Sequence, residues 1–361
     1  MVEQLPSRRS DPQTAELNVM RAAVRIAPRD AEAAVALAQR YFSMAAAEGD
    51  PRYVGYAQAA LAPWWSEPAP PQQVRVMRAV IKQYSHAFAD ALADLNAAVQ
   101  ADPADVQAWA WLAAIHMVQA DYDEARHACE QVAPHTSALM ATACQAYVDS
   151  VTGHAGPAAQ AIRTALSQAP AAPAAERLWA LTRLAEIDER RGDFAAAQAS
   201  YRQALALGRQ DNYLLCAYAD FLLDQGRAPE VLALLKDQTR SDTLLLRLAL
   251  AAKAAHAPNA SQLESDLAGR YEAARRRGDI THQKEEARFV LGIQNQPQRA
   301  LQLASANYAV QREPSDARAL LETAIAARQP QAAEPALRWM NQWHVESAAL
   351  AGLAQRLKTL P

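Results

Sequence analysis

The chain has 361 residues, more than one hydrophobic core usually serves, and a net charge of −3 from 36 basic and 39 acidic side chains. That balance offers nothing global to nucleic acid or an anionic membrane, and no apolar run approaches the ~20 residues of a membrane span. The cysteines, Cys129, Cys144 and Cys216, form neither a C-x-x-C pair nor an even framework, which argues against a disulfide scaffold and a structural zinc site.

Apolar residues recur with helical period almost throughout, and no window alternates as a strand would. Asp11-Pro12 opens the first helix as an N-cap followed by proline at the first helical position, and Leu17, Met20 and Val24 give it one apolar face. Pro28 ends it. The next helix carries Leu37, Ala38 and Tyr41, and Asp50-Pro51 starts its partner with Tyr53, Ala57 and Ala60. Residues 63–71 contain four prolines around Trp64 and Trp65, so a helix cannot run through them. They form an inserted loop. Its tryptophans are either a contact anchor or, the better reading given the cost of exposing indole, a plug folded onto the first repeat.

Residues 72–105 and 106–139 then form two units of 34 residues each. A fourth unit turns at Gly153 and carries Ala158, Ile162 and Ala165 on its second helix. The alanine- and proline-rich stretch 169–175 is a linker that divides the chain into 1–170 and 171–361. A fifth unit spans 178–211, and a sixth carries Leu215, Ala219, Leu222 and Gly226. Past residue 240 helices are expected near 242–256, 260–277, 281–293, 297–311, 315–328, 331–342 and 345–358, but their phase conflicts. Arg277-Gly278-Asp279 looks like a turn inside a repeat, whereas Glu313-Pro314-Ser315-Asp316 looks like a junction between repeats. Unbroken alternation of helices favours the junction.

The residues that repeat are Ala91, Leu95, Ala98 and Pro103, then Trp109, Leu112, Ala113, Tyr122 and Ala125. They return as Leu181, Leu184, Ala185, Gly192, Phe194, Ala197, Tyr201 and Ala204. This pattern resembles the tetratricopeptide repeat, a helix–turn–helix unit of 34 residues. The resemblance is strong over 72–226, moderate over 28–62 and weak beyond 240. It implies an all-α solenoid of about nine antiparallel helix pairs coiled into a right-handed superhelix. Each pair buries apolar surface on its neighbours, and first helices line a concave face. Members of this family hold extended or helical peptides there, so the resemblance implies a non-catalytic scaffold or adaptor. The alanine and arginine bias fits a GC-rich bacterial genome.

Carried over position by position, the groove-facing residues include Val76, Val80 and Tyr84 in the second repeat, Met117 in the third and Tyr147 in the fourth. The fifth contributes Glu186 and Glu189, and the sixth Asp220 and Asp224. The first group offers apolar anchors. The second suits a cationic segment, so the implied partner is a protein or peptide with a basic stretch. The lysine, asparagine and arginine set with which chaperone-binding members clamp a terminal carboxylate does not occupy these positions. An alternative is that adjacent helices cover the apolar strip.

No phosphate loop, dinucleotide fingerprint, H-E-x-x-H or G-x-S-x-G pattern occurs, and no cofactor or metal is expected. His116, His127 and His135 lack carboxylate or thiolate companions at ligand spacing. Composition favours buried, reduced cysteines, although Cys129 and Cys144 fall on sequential helices that would let them meet. Arg275, Arg276 and Arg277 read as a last helical turn offsetting the helix dipole. The rivals to a groove-binding adaptor are a structural subunit that makes contact through edges and loops such as 63–71, and an enzyme with an unrecognised site in the C-terminal third. Met1 to Ser10 lacks a hydrophobic signal core, so the chain reads as cytoplasmic, or as the mature part of a periplasmic protein.

Overall fold

The structure, a computed structural model, describes residues 12–279 and 281–360, and every regular element among them is a helix. Asp11 and the arginines before it lie outside the described residues. An unpaired first helix, α1 (Pro12–Ile26), precedes nine pairs. They are α2 (Ala31–Glu48) with α3 (Arg52–Ala60), α4 (Gln72–Tyr84) with α5 (Phe88–Ala101), and α6 (Val106–Gln119) with α7 (Tyr122–Val132). Next come α8 (Ala138–Asp149) with α9 (Ala155–Gln168), α10 (Ala174–Arg190) with α11 (Phe194–Ala206), and α12 (Asn212–Asp224) with α13 (Ala228–Leu235). The last are α14 (Asp242–Ala254) with α15 (Ala260–Arg276), α16 (Gln283–Gly292) with α17 (Pro297–Val310), and α18 (Pro314–Ala326) with α19 (Glu334–Gln342). A single helix, α20 (Ala348–Lys358), closes the order. The helices expected past residue 240 are all present.

Each pair reverses through a residue in the left-handed conformation. Gly49, Gly153, Gly192 and Gly226 take it without strain, but His86, Ala120, His256, Asn295 and Arg328 take it too. In most pairs the residue after the turn then donates its N–H to the carbonyl five positions back: Asp121 to His116 at 2.8 Å, Asp193 to Asp188 at 2.9 Å and Ala257 to Ala252 at 2.8 Å. These bonds satisfy helix-end carbonyls that would otherwise be orphaned. By the alternation of helices, Arg277-Gly278-Asp279 lies between α15 and α16, although Gly278 has the same left-handed conformation and Asp279 N–H reaches the Ala274 carbonyl at 3.0 Å, and Glu313-Pro314-Ser315-Asp316 lies between α17 and α18. Both are junctions between pairs, and at the second the Glu313 and Asp316 side chains form a reciprocal capping box.

The chain forms two compact units, residues 1–108 and 109–361. In the first, a buried ion pair fixes the proline-rich loop. Arg78 on α4 donates through Nε to Asp94 at 2.8 Å, while its Nη1 reaches the carbonyl oxygens of Trp64, Trp65 and Glu67 at 2.9, 3.1 and 2.8 Å. Lys82 adds a 2.8 Å bond to Asp94. Burial works against the Asp94 carboxylate, yet Arg78 and Lys82 hold its pKa below the usual value. Trp64 is 2% exposed, so the loop is a plug on this unit.

In the second unit Ala125 and Ala197 are fully buried, and the rings of Tyr201, Tyr218 and Phe221 share one core with Ala197. One expectation is corrected here. Cys129 and Cys144 are joined in a disulfide between α7 and α8, Cα atoms 5.7 Å apart, and only Cys216 is free. Composition cannot see that adjacent helices bring buried Cys129 and half-buried Cys144 face to face.

The C-terminal helices of this unit fold back onto its earlier repeats. Trp339 Nε1 donates to the Tyr122 hydroxyl at 2.9 Å, and Trp343 stands edge-on to the same ring at 4.9 Å. Arg312 N–H reaches the Val118 carbonyl at 2.7 Å, and the Glu346 carboxylate accepts from Ala155 N–H at 2.5 Å. Gly153 packs so closely on His344 that a Cβ there would stand 3.1 Å from the His344 Cβ.

Candidate functional site

In the first unit Val76 and Val80 are each 2% exposed, so they belong to the core around α4. Tyr84 is half-buried, with the Phe42 ring edge-on at 6.1 Å. In the second unit Met117 is buried. Tyr147 donates to Glu313 at 3.3 Å, and its ring lies 4.6 Å from the Arg183 guanidinium. A peptide meets these apolar residues only where the side chains covering them move aside.

The four carboxylates of α10 and α12 gather with their own partners. Asp220 is held on two sides. Arg288 of α16 makes a bidentate pair with it at 2.7 and 2.9 Å, and Arg247 of α14 adds a bond of 2.7 Å. Burial penalises the Asp220 charge, but Arg247 and Arg288 overcome it and hold the carboxyl far below the carboxylate range. Asp224, one turn on, takes both Nη atoms of Arg318 from α18, Nη2 at 2.7 Å.

Glu186 accepts from the Tyr213 hydroxyl and pairs with Arg183 at 2.9 Å. That guanidinium lies between the rings of Tyr147 and Tyr213, at 4.6 and 4.5 Å, with Trp179 at 5.9 Å. Glu189 accepts from Tyr201 at 2.9 Å. Burial, joined by the nearby charges of Asp224, Glu186 and Asp220, pushes its pKa up to about 7 against the hydrogen bond from Tyr201.

The C-terminal third also holds titratable groups of shifted pKa. Lys284 pairs with Asp316 at 3.0 Å, and burial lifts the Glu313 carboxyl above its usual value against the pull of Lys284. Glu313 and Asp316 are the capping box of α18, so these groups have a helix end to satisfy. His116 lies 3.6 Å from Asp121, and the His127 ring stands edge-on to Trp109. Among the described residues no three His, Cys, Asp or Glu side chains converge as a metal site, and no helix is long and apolar enough to cross a membrane.

Sequence reasoning named the four carboxylates and missed the arginines that meet them. The signal was present: Arg247, Arg288 and Arg318 all lie on first helices of pairs, as the carboxylates do.

The tetratricopeptide-repeat family model matches residues 84–145, from the end of α4 into α8. The chain therefore carries tetratricopeptide repeats there, in a fold that typically serves protein–protein interaction and typically lacks a catalytic site. No curated protein matches the chain. Among solved structures, the tetratricopeptide-repeat domain of P58(IPK) is similar at 15% identity, over 91% of this chain and 94% of that one, with a TM-score of 0.22.

Proposed function

We infer that this repeat-bearing chain is a non-catalytic scaffold that holds an arginine-bearing segment of a protein partner in the acidic hollow of α10 and α12. In the free chain, α14, α16 and α18 take that place. The observation that carries this reading is the pairing of Asp220 and Asp224 with Arg288 and Arg318, which lie 68 and 94 residues further along. The hollow's chemistry is thus matched to guanidinium groups on helices, the ligand class for which planar bidentate pairing is best suited.

The two pairs differ in how readily they would exchange. The Arg318–Asp224 pair is about one-third exposed on both sides, in the range where ion pairs contribute ~0–1 kcal/mol. Arg247 beneath Asp220 is nearly buried. A basic partner would therefore enter at Asp224 and displace Arg318 first. The formed Cys129–Cys144 bridge fits an oxidising compartment, the periplasm in a bacterium.

The test begins with affinity capture on the native chain and identification of the bound protein by mass spectrometry. Its binding is then measured on Asp224→Lys and on Glu130→Lys, an exposed position on α7, at rising salt. Asp224→Lys should abolish most of the binding, Glu130→Lys should leave it intact, and salt should weaken it. Equal effects at both positions, or none at either, would falsify the acidic-hollow reading and favour contact through edges and loops.

A further inference from the structure

The first described helix carries two apolar stripes. Leu17 faces inward and is 6% exposed. On the opposite side Ala15, Val19, Ala22 and Ile26 follow at steps of four, three and four residues. At about 100° per residue these fall within roughly 60° of one another and about 180° from Leu17. Ile26 is 83% exposed and Val19 71%, the two most exposed large apolar side chains among the described residues. A helix face turned to solvent is ordinarily polar. Steps of four and three are instead the seam of a helix that packs lengthwise on another.

We propose that this seam is a homodimer contact: α1 packs antiparallel against α1 of a second copy, about a two-fold axis between residues 20 and 21. The stripe complements itself in that register. Val19 meets Ala22 of the second copy, and Ile26 meets its Ala15, so each layer sets a large side chain against a small one. The flanks agree, since Glu16 falls beside Ala23 of the second copy and Asn18 beside its Arg25, and no like charges face each other. A parallel pair would instead stack Ile26 on Ile26 and Ala22 on Ala22, alternating wide and thin layers that two straight helices cannot both fill. The antiparallel arrangement is isologous and closes at two copies. One helix per copy is a small contact, so association is reversible and depends on concentration.

Sedimentation velocity of the full chain, from low micromolar to several hundred micromolar, should show a monomer–dimer equilibrium. Val19→Asp and Ile26→Asp should each weaken it at least tenfold, on the order of 1.4 kcal/mol, with helical circular dichroism unchanged because both side chains point to solvent. Register is read by oxidative crosslinking of single-cysteine variants. Val19→Cys mixed with Ala22→Cys should give a linked dimer faster than either variant alone. Native cysteines contribute little, since two are bonded and Cys216 is only partly exposed. A native chain that stays monomeric throughout, or aspartate variants that associate as the native chain does, would overturn the proposal. Faster self-linking of Val19→Cys would overturn the antiparallel register.

Discussion

Asp220→Asn tests how firmly the second unit closes on itself. The substitution keeps the shape of the side chain and removes its charge. Arg247, whose side chain is 7% exposed, then loses its counter-charge, and Arg288 loses a bidentate partner. Breaking a buried pair by removing one member costs about 3–5 kcal/mol. Asp220 is itself a quarter exposed, which lowers the expectation to about 2–4 kcal/mol. Urea unfolding followed by circular dichroism at neutral pH gives the global loss, and hydrogen exchange of the α16 amides gives the local one. The pH dependence has a definite sign. The folded-state pKa of Asp220 is depressed, so its contribution is complete above the ordinary carboxylate range. It disappears as pH falls from about 4 towards the folded value. The gap between native chain and variant should therefore stay constant through neutral pH and narrow only in acid. In an Arg288→Met background, Asp220→Asn should cost less, with a coupling of about 1–3 kcal/mol. Superimposable melts and unchanged α16 exchange at neutral pH would refute the closure.

Three further outcomes are expected. Reducing the Cys129–Cys144 bridge, whose sequence separation is 15, should lower stability by about 3 kcal/mol, and urea melts should show reductant shifting the native chain but not a Cys129→Ala/Cys144→Ala variant. Ala120 holds φ at 62°, so Ala120→Gly should raise the unfolding free energy by about 0.5–1 kcal/mol in urea melts, whereas the same exchange at Ala125 on α7 should lower it. The folded pKa of Glu189 is raised from 4.5 to about 7, so its stabilising contribution is complete below the unfolded value and lost as pH rises through 7. Glu189→Gln, which imitates the protonated form, should therefore match the native chain near pH 4 and exceed it at pH 8 by about 3 kcal/mol, as thermal melts at the two pH values would show.

The helices were legible because period and punctuation agree locally. Pro12, Pro51, Pro297 and Pro314 stand at or beside helix starts, and Gly153, Gly192 and Gly226 stand at turns. Repeat phase faded after 240 for an equally local reason. The left-handed turn passes to His256, Asn295 and Arg328, which look like ordinary surface residues, while Gly278 takes that conformation at a junction. Spacing drifts as well. His86 to Ala120 is 34 residues, but Gly226 to His256 is 30 and His256 to Asn295 is 39. The plug reading of Trp64 followed from the cost of exposed indole. Arg78 was missed, because nothing local marks an arginine that will bind three loop carbonyls.

The acidic hollow shows what depends on phase. Glu186, Glu189, Asp220 and Asp224 lie on first helices, and like charges gathered there need cations or water. That much follows from period alone, and it points outward to a basic partner. The next three first helices carry Arg247, Arg288 and Arg318, so the inner row changes sign between α12 and α14. With the parity of α14 to α19 known, the row reads as acidic repeats followed by basic ones, an arrangement whose nearest available neutralisation is internal. With the parity lost, the arginines scatter into unassigned helices and only the acidic half remains visible. A basic partner of the proposed kind would therefore compete with a cation already tethered to the chain. Its affinity depends on the difference between its own contacts with Asp224 and those of Arg318. Removing Arg318 should consequently tighten binding of a basic partner, while removing Asp224 should weaken it, and a titration of both variants against the captured protein separates a closed hollow from an open groove. If Arg318→Ala binds no better than the native chain, the internal cation is not the competitor.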